Sequence, residues 1–283
     1  MSECRDFHCG TTRGCRRMLT SDEIRTFHDV GWILKPALFD ASEIAAMRDC
    51  FSDLERLAAE LDGTGPHHGS HFVLGERDGQ QVIKRVVWAG GSQPFLLEIG
   101  SDDRLTVPAA QLLGSADMDQ LLSQAHFKRP NDGVIFGWHQ DIQHRDKGGD
   151  TWRDVNGRGS FVQTLIAIDG MTPDSGPLHF IPGSSGWGRV DFGDHDYDNP
   201  GYPAKRPPEF REENVVIIEA QPGDTLFFGP YTAHASFENT SADYRRVLIN
   251  GYAYPGANRR EYPGEGSCRR LSVALPESAT AEA

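Results

Sequence analysis

A histidine and an aspartate two residues apart, His139 and Asp141, stand in the segment GWHQDIQHRDKGGD with a second histidine, His144, close behind. On a strand, side chains at i and i+2 project to the same face, so this imidazole and carboxylate could offer two ligands to a divalent metal. A third ligand has to come from elsewhere. His234, in FGPYTAHASFEN, follows the apolar run GDTLFF and precedes another strand-like segment, which makes it the best placed of the remaining histidines. Two imidazoles and one carboxylate form a facial triad that leaves metal positions open, the arrangement diagnostic of non-haem Fe(II) sites that activate oxygen.

Oxygen activation needs electrons, and a metal-chelating 2-oxoacid provides two on decarboxylation. The far carboxylate of such a cosubstrate calls for a permanent cation, and the guanidinium fork of arginine matches it with two bonds. Arg245 and Arg246 open the strand-like run RRVLINGYAY shortly after His234. Strand alternation sends the two to opposite faces, and Arg245 is the one expected inside.

The chain that must bring these groups together has 283 residues, enough to bury a core around a pocket in a single domain. No stretch of about 18 apolar residues exists to span a membrane, and the segment MSECRDFHCGTTRGCRRML lacks the apolar centre of a signal peptide. A net charge of −13 argues against nucleic acid or anionic lipid as a partner. Cys4, Cys9 and Cys15 with His8 could suggest zinc, but no C-x-x-C pair is present. Reduced thiols in a cytoplasmic location are expected instead.

Helices come first. Thr20 and Ser21 precede DEIRTFHDVGW, a helix start, and GWILKPAL reads as a short strand. In DASEIAAMRDCFSDLERLAAEL, Asp40 or Ser42 caps a helix whose Ile44, Met47, Phe51 and Leu54 recur at helical spacing as core residues. FVLGERDGQQVIKRVVWAG then predicts a hairpin about Asp78-Gly79. The runs SFVQTLIAID, GPLHFIPG, NVVIIEAQ, GDTLFFGP, HASFEN and YRRVLINGYAY follow as strands without helices between them. Many short strands without βαβ alternation predict a mainly β fold with flanking helices, a sandwich or jelly roll around the site. Residues 1–17 are expected to be a flexible lead, 18–274 the single domain, and 275–283 a disordered tail. The irregular stretch over about 183–213 is expected to act as an acidic lid. Its Asp194, Asp196 and Asp198 do not make a calcium loop, since Asn199 and Lys205 stand where glycine and glutamate are required.

The chain resembles the phytanoyl-CoA dioxygenase family of Fe(II)/2-oxoglutarate oxygenases. The resemblance runs from LTSDEIRTFHDVGWILKPALFD to GYAYPG. It is carried by FKRP, WHQD, GPLHFIPGSS, PGDTLFF and the closing H-x-S-x-x-N-x-S pattern followed by Arg. It implies a double-stranded β-helix, a cupin-like jelly roll, with iron held by His139, Asp141 and His234. It also implies that Arg245 binds the far carboxylate of 2-oxoglutarate with Ser236 as a hydroxyl partner, and that Lys128 and Thr164 or Gln163 lie near the cosubstrate. O2 is the oxidant in that chemistry. Halogenating relatives lack the carboxylate retained here as Asp141, so halogenation is not expected. One departure is Ser185, where many relatives carry His.

The reaction implied is hydroxylation of a C–H bond in a small polar metabolite, with desaturation or cyclisation as the alternative. His144, Trp152 and Arg153 are candidate substrate contacts. His179 is expected to pack near the site without ligating, and His67, His68 and His71 to border the pocket or be exposed. A monomer or homodimer is expected. A zinc hydrolase or a non-enzymatic β-sandwich are the rival readings.

Overall fold

The computed structural model describes residues 18–146, 150–194 and 201–275. Its helices begin at capping residues. Thr20 accepts from the Glu23 N–H at the start of α1 (Ser21–Val30), and Asp40 accepts from Ser42 and Glu43 N–H at α2 (Ala41–Ala58). In both, the glutamate three residues on returns a bond to the cap's own N–H, so two orphan donors are satisfied reciprocally. Gly31, at φ 105°, ends α1 and turns the chain into β1 (Trp32–Lys35). Ile44, Met47, Phe51 and Leu54 of α2 are all buried.

β2 (Gly65–His67), β3 (Ser70–Arg77) and β4 (Gln80–Val87) follow. Asp78 and Gly79 join the last two with positive φ at both positions, 52° and 74°, as a two-residue hairpin turn requires. Two helices that the sequence reading did not place come next, α3 (Pro94–Ile99) and α4 (Asp103–Leu113). In α4 every residue from Leu105 to Leu113 is buried and Pro108 sits inside the helix, so no polar face marks its period. The remaining elements are β5 (Asp117–His126), β6 (Phe136–His139), α5 (Ile142–Arg145), β7 (Phe161–Ala167), β8 (Leu178–Phe180), β9 (Val216–Ile218), β10 (Thr225–Phe228), β11 (His234–Ser236), β12 (Val247–Ala253) and β13 (Arg269–Ser272).

Among the described residues these strands form two antiparallel sheets. The larger runs β1-β10-β7-β12-β5-β4-β3-β2, with β13 added to β5; the smaller runs β6-β11-β8-β9. From β5 to β12 the chain passes repeatedly between the two sheets, and the result is the jelly roll with outer helices that was expected. α1, α2, α3 and α4 cover the outer face of the large sheet, where Phe51, Phe72, Phe127, Val162 and Leu248 share one core. The inner face is turned towards the small sheet.

No helix among the described residues is long and apolar enough to cross a membrane. Cys4, His8, Cys9, Cys15, Asp196, Asp198 and the expected tail beyond Leu275 lie outside the described residues.

Candidate metal centre

β6 and β11 pair antiparallel with His139 opposite His234, and their ring centroids are 4.2 Å apart. Asp141 completes the group. Its Oδ1 lies 3.8 Å from His139 Nε2 and its Oδ2 lies 3.9 Å from His234 Nε2. One donor atom from each of the three residues falls within 4.8 Å of the others.

Asp141 does not reach this position as a strand residue. β6 ends at His139, and Asp141 has φ −62° and ψ −23° where the chain turns into α5. Its carbonyl already accepts helical bonds from His144 and Arg145 N–H, while Ile142 N–H bonds to Pro230 on the connection before β11. The same-face rule for a strand therefore does not explain the pairing. A tight turn, tied to the β10–β11 loop, brings the carboxylate back over the histidines.

Both imidazoles are aimed by their own backbone. His139 Nδ1 bonds the Gly137 carbonyl at 2.7 Å, and His234 Nδ1 bonds the Thr232 carbonyl at 2.8 Å. A carbonyl only accepts, so each Nδ1 carries the proton and each Nε2 presents a lone pair towards Asp141. Burial, with His139 alongside, pushes the His234 imidazole down to about 4, so it is neutral at neutral pH. Burial alone would raise the Asp141 carboxyl, but His234, His139, Arg145 and His144 hold it below the usual carboxylate range. Asp141 Oδ2 is buried and has no hydrogen-bond partner among the described residues. An ionised buried oxygen without a partner is costly, and a cation between the three residues would remove that cost.

The centre opens into a cavity of about 520 Å³ between the two sheets. Arg245, 2% exposed, lines it. Its Nε and Nη2 donate to the Gly176 carbonyl at 3.0 and 2.6 Å, and Nη2 also donates to Ser236 Oγ at 3.2 Å. Burial pushes this guanidinium down to about 10, which leaves it charged without a contacting carboxylate among the described residues. Arg246 takes the other face, as alternation predicts, and grips Asp169 with Nε and Nη2 at 2.7 and 3.0 Å.

The remaining candidates divide. Gln163 and Ser236 line the cavity, and Gln163 Oε1 is buried without a partner. Thr164 is on the opposite face of β7, where its hydroxyl donates to the Asn250 carbonyl, and it does not line the cavity. Lys128 lies behind the wall, bonded through Nζ to the Phe237 carbonyl and through its backbone to Arg245. His144 lines the cavity, its ring 5.3 Å from that of His139. Trp152 and Arg153 do not. The Trp152 indole packs against Phe161 and donates to Gly159, and Arg153 is exposed while its N–H caps Ala257. A local run of polar residues could not reveal that Trp152 and Arg153 lie off the cavity wall. His179 packs on Phe237, off the cavity wall. His67 and His68 form with Glu60 a second potential donor group at the β2–β3 hairpin, with His67 half-buried and the other two exposed, and none of them lines the cavity.

The sequence reading passed over Arg85, Arg260, His126 and Tyr262, all of which line the cavity. Only the period of two in the β4 segment marks Arg85 as facing one side, and nothing in the sequence says which side is inside.

Residues 27–247 match the family described as phytanoyl-CoA dioxygenase (PhyH). The chain is 29% identical to the L-proline trans-4-hydroxylase of Streptomyces griseoviridis over 71% of its own length and 77% of that enzyme. It is 26% identical to the ectoine dioxygenase of Halomonas elongata over 59% of its length, a match that spans 46% of that protein. Among solved structures, EvdO2 of Micromonospora carbonacea var. aurantiaca, complexed with 2-oxoglutarate, superposes with a TM-score of 0.62. It covers 92% of this chain and 96% of its own, at 20% identity. With the family match covering most of the chain and the jelly roll shared, the chain belongs to the phytanoyl-CoA dioxygenase family.

Proposed function

We propose that this protein is an Fe(II)- and 2-oxoglutarate-dependent dioxygenase that hydroxylates a C–H bond of a small polar metabolite. Substrate, 2-oxoglutarate and O2 give hydroxylated product, succinate and CO2. The observation that carries the reading is the convergence of His139, Asp141 and His234 beside a buried, carboxylate-free Arg245.

The residues fit the metal. Two neutral imidazole nitrogens and one carboxylate suit Fe(II), and the orphaned Asp141 Oδ2 supplies the charge that needs a cation. When bound, Fe(II) with 2-oxoglutarate supplies the oxidising power, drawing electrons from decarboxylation of the oxoacid. What the chain contributes is placement and shelter. Gly137 and Thr232 fix both imidazole tautomers through their carbonyls. Arg245, steadied by Gly176 and Ser236, holds the far carboxylate of the cosubstrate with a charge that burial has stripped of water. Gln163 offers a free amide oxygen to the same space. Phe228, Leu165 and Leu178 form the apolar wall that keeps the centre dry. Cys50 and Cys268 are free thiols, consistent with a cytoplasmic enzyme.

Anaerobic addition of Fe(II) and then 2-oxoglutarate should give a visible charge-transfer band in the wild-type protein. His139→Ala and His234→Ala should abolish it and stop substrate-dependent succinate formation. Succinate formation that survives both substitutions overturns the assignment. Activity in anaerobic buffer without 2-oxoglutarate would instead identify a metallohydrolase.

A further inference from the structure

The described wall of the cavity carries four arginines, Arg85, Arg145, Arg245 and Arg260, against two carboxylates, Asp141 and Asp194. This imbalance stands in a chain with 41 acidic and 28 basic residues. Several arginines elsewhere find carboxylates: Arg48 and Arg246 pair with Asp169, Arg104 with Glu43 and Asp102, Arg129 with Glu55, Arg270 with Asp119. Arg211 and Arg269 spend their guanidinium groups on carbonyl and amide oxygens. In the cavity, Arg85, Arg145 and Arg260 make no ion pair with a described carboxylate. The Nε of each is buried without a hydrogen-bond partner among the described residues.

The three come from distant parts of the chain and meet on one side. Arg85 is opposite His126 in the β4–β5 ladder, and its guanidinium makes no hydrogen bond to a described residue. Arg145 ends α5, one turn beyond Asp141, and donates to Tyr262 Oη at 3.1 Å. The guanidinium groups of Arg145 and Arg260 lie 5.3 and 4.0 Å from the Tyr262 ring centroid, and Arg145 also lies 5.0 Å from that of Phe161. Aromatic rings hold both cations in place while the Nε of each stays without a partner among the described residues. Burial, with Arg145 nearby, lowers the Arg85 guanidinium below its usual value, and burial, with Arg85 and Arg245 nearby, holds His126 well below the ordinary imidazole value. Like charges are thus kept together in a confined space, which raises the local concentration of anions.

Charge balance separates this cluster from the cosubstrate. On the reading above, a divalent metal and Arg245 are neutralised by Asp141 and the two carboxylates of 2-oxoglutarate. Arg85, Arg145 and Arg260 are then left facing only Asp194, which is exposed. We propose that Arg85, Arg145 and Arg260 form a second oxyanion subsite, distinct from that of Arg245, which receives a carboxylate or phosphate group of the substrate and so restricts the enzyme to acidic metabolites. The guanidinium forks match either group. The inference rests on the proposed dioxygenase reading for the identity of the other anion.

The test uses protein loaded with Fe(II) and 2-oxoglutarate under anaerobic conditions, at constant ionic strength set with sodium chloride. Acetate and sulfate are the probes, standing for carboxylate and phosphate groups, and the readout is thermal stability, which rises when a ligand binds the folded state. At least one anion should raise the melting temperature of the wild-type protein. Arg85→Gln and Arg260→Gln should lose that rise and keep the 2-oxoglutarate absorption band, and Arg85→Lys should recover part of it. In turnover, small acids should outcompete their own carboxamides, and each glutamine variant should lower that preference by roughly ten- to a hundredfold, as for a lost hydrogen bond to a charged group. A response to acetate alone assigns a carboxylate, and to sulfate alone a phosphate. No rise with either anion in wild-type protein overturns the inference, as does an equal rise in the variants. Loss of the 2-oxoglutarate band in Arg85→Gln also overturns it, by assigning that arginine to the cosubstrate. Absence of the band from wild-type protein defeats the dioxygenase reading instead, while the anion response still judges the subsite.

Discussion

His139 and His234 are direct cross-strand partners, and each is steered by a carbonyl two residues earlier in the chain. The two lone pairs are therefore aimed by main chain alone, before any metal arrives. Only the third donor depends on a turn. Asp141 is held at the start of α5 by backbone bonds, with its Oδ2 towards His234 and without a hydrogen-bond partner among the described residues.

Replacing Asp141 with Asn separates metal binding from folding. The metal-free protein should change little in stability. The isosteric amide removes a buried charge whose Oδ2 lacks a hydrogen-bond partner among the described residues, but also the attraction of His234, His139 and Arg145 for it. Fe(II) affinity should fall by more than about tenfold, the loss expected even for an outer partner of a metal ligand. Thermal melting with and without Fe(II) reads both effects; a large loss of metal-free stability would contradict the orphaned-oxygen argument.

Arg245→Gln should weaken 2-oxoglutarate by about ten- to a hundredfold, the equivalent of roughly 1.5–3 kcal/mol for a hydrogen bond to a charged group. Ser236→Ala, which removes a neutral partner at 3.2 Å, should cost less than tenfold. Anaerobic titration of the absorption band with 2-oxoglutarate ranks the two. Arg245→Lys should not restore wild-type affinity, since a single ammonium cannot reproduce the fork.

Stability should fall as the medium is acidified below the ordinary imidazole value of 6.5. Burial, with Arg85, Arg245 and Lys128 nearby, holds His126 well below that value in the folded protein. The unfolded chain therefore takes up a proton that the folded chain refuses. The stability contributed above 6.5 is lost progressively as pH drops towards the folded value. His179 and His28 are shifted the same way, mainly by burial. Urea unfolding of metal-free protein across this range should show the loss, and His126→Gln should flatten it.

Phe51→Ala should destabilise the fold by about 3–5 kcal/mol, the usual result of emptying a buried aromatic site. Phe51 is fully buried on α2, with its ring 5.0 Å from that of Phe127 on the segment leading to Lys128. Denaturant unfolding gives the magnitude. The Fe(II) and 2-oxoglutarate band of the folded fraction should be unchanged, because this core is on the far side of the large sheet from the cavity.

Much of this protein is written in short-range patterns. Caps at Thr20 and Asp40, the apolar stripe of α2, the Asp78-Gly79 turn and the alternation of Arg245 with Arg246 each depend on neighbours within a few residues. The residues that converge at the candidate centre were legible for the same reason: His139, Asp141, His234 and Arg245 stand in compact motifs with characteristic spacing. α4 escaped notice because burial on all sides erases helical periodicity, and Asp141 was assigned to a strand because a turn after His139 leaves no mark on the spacing. Which polar residues face the cavity was decided by the tertiary structure alone. Pairing in the β4–β5 ladder turns Arg85 inward, Trp152 and Arg153 lie off the cavity wall, and the approach to β13 returns Arg260 and Tyr262 to the cavity. Such meetings join segments far apart in the chain, and local sequence has no means of encoding which side of a strand another sheet will cover.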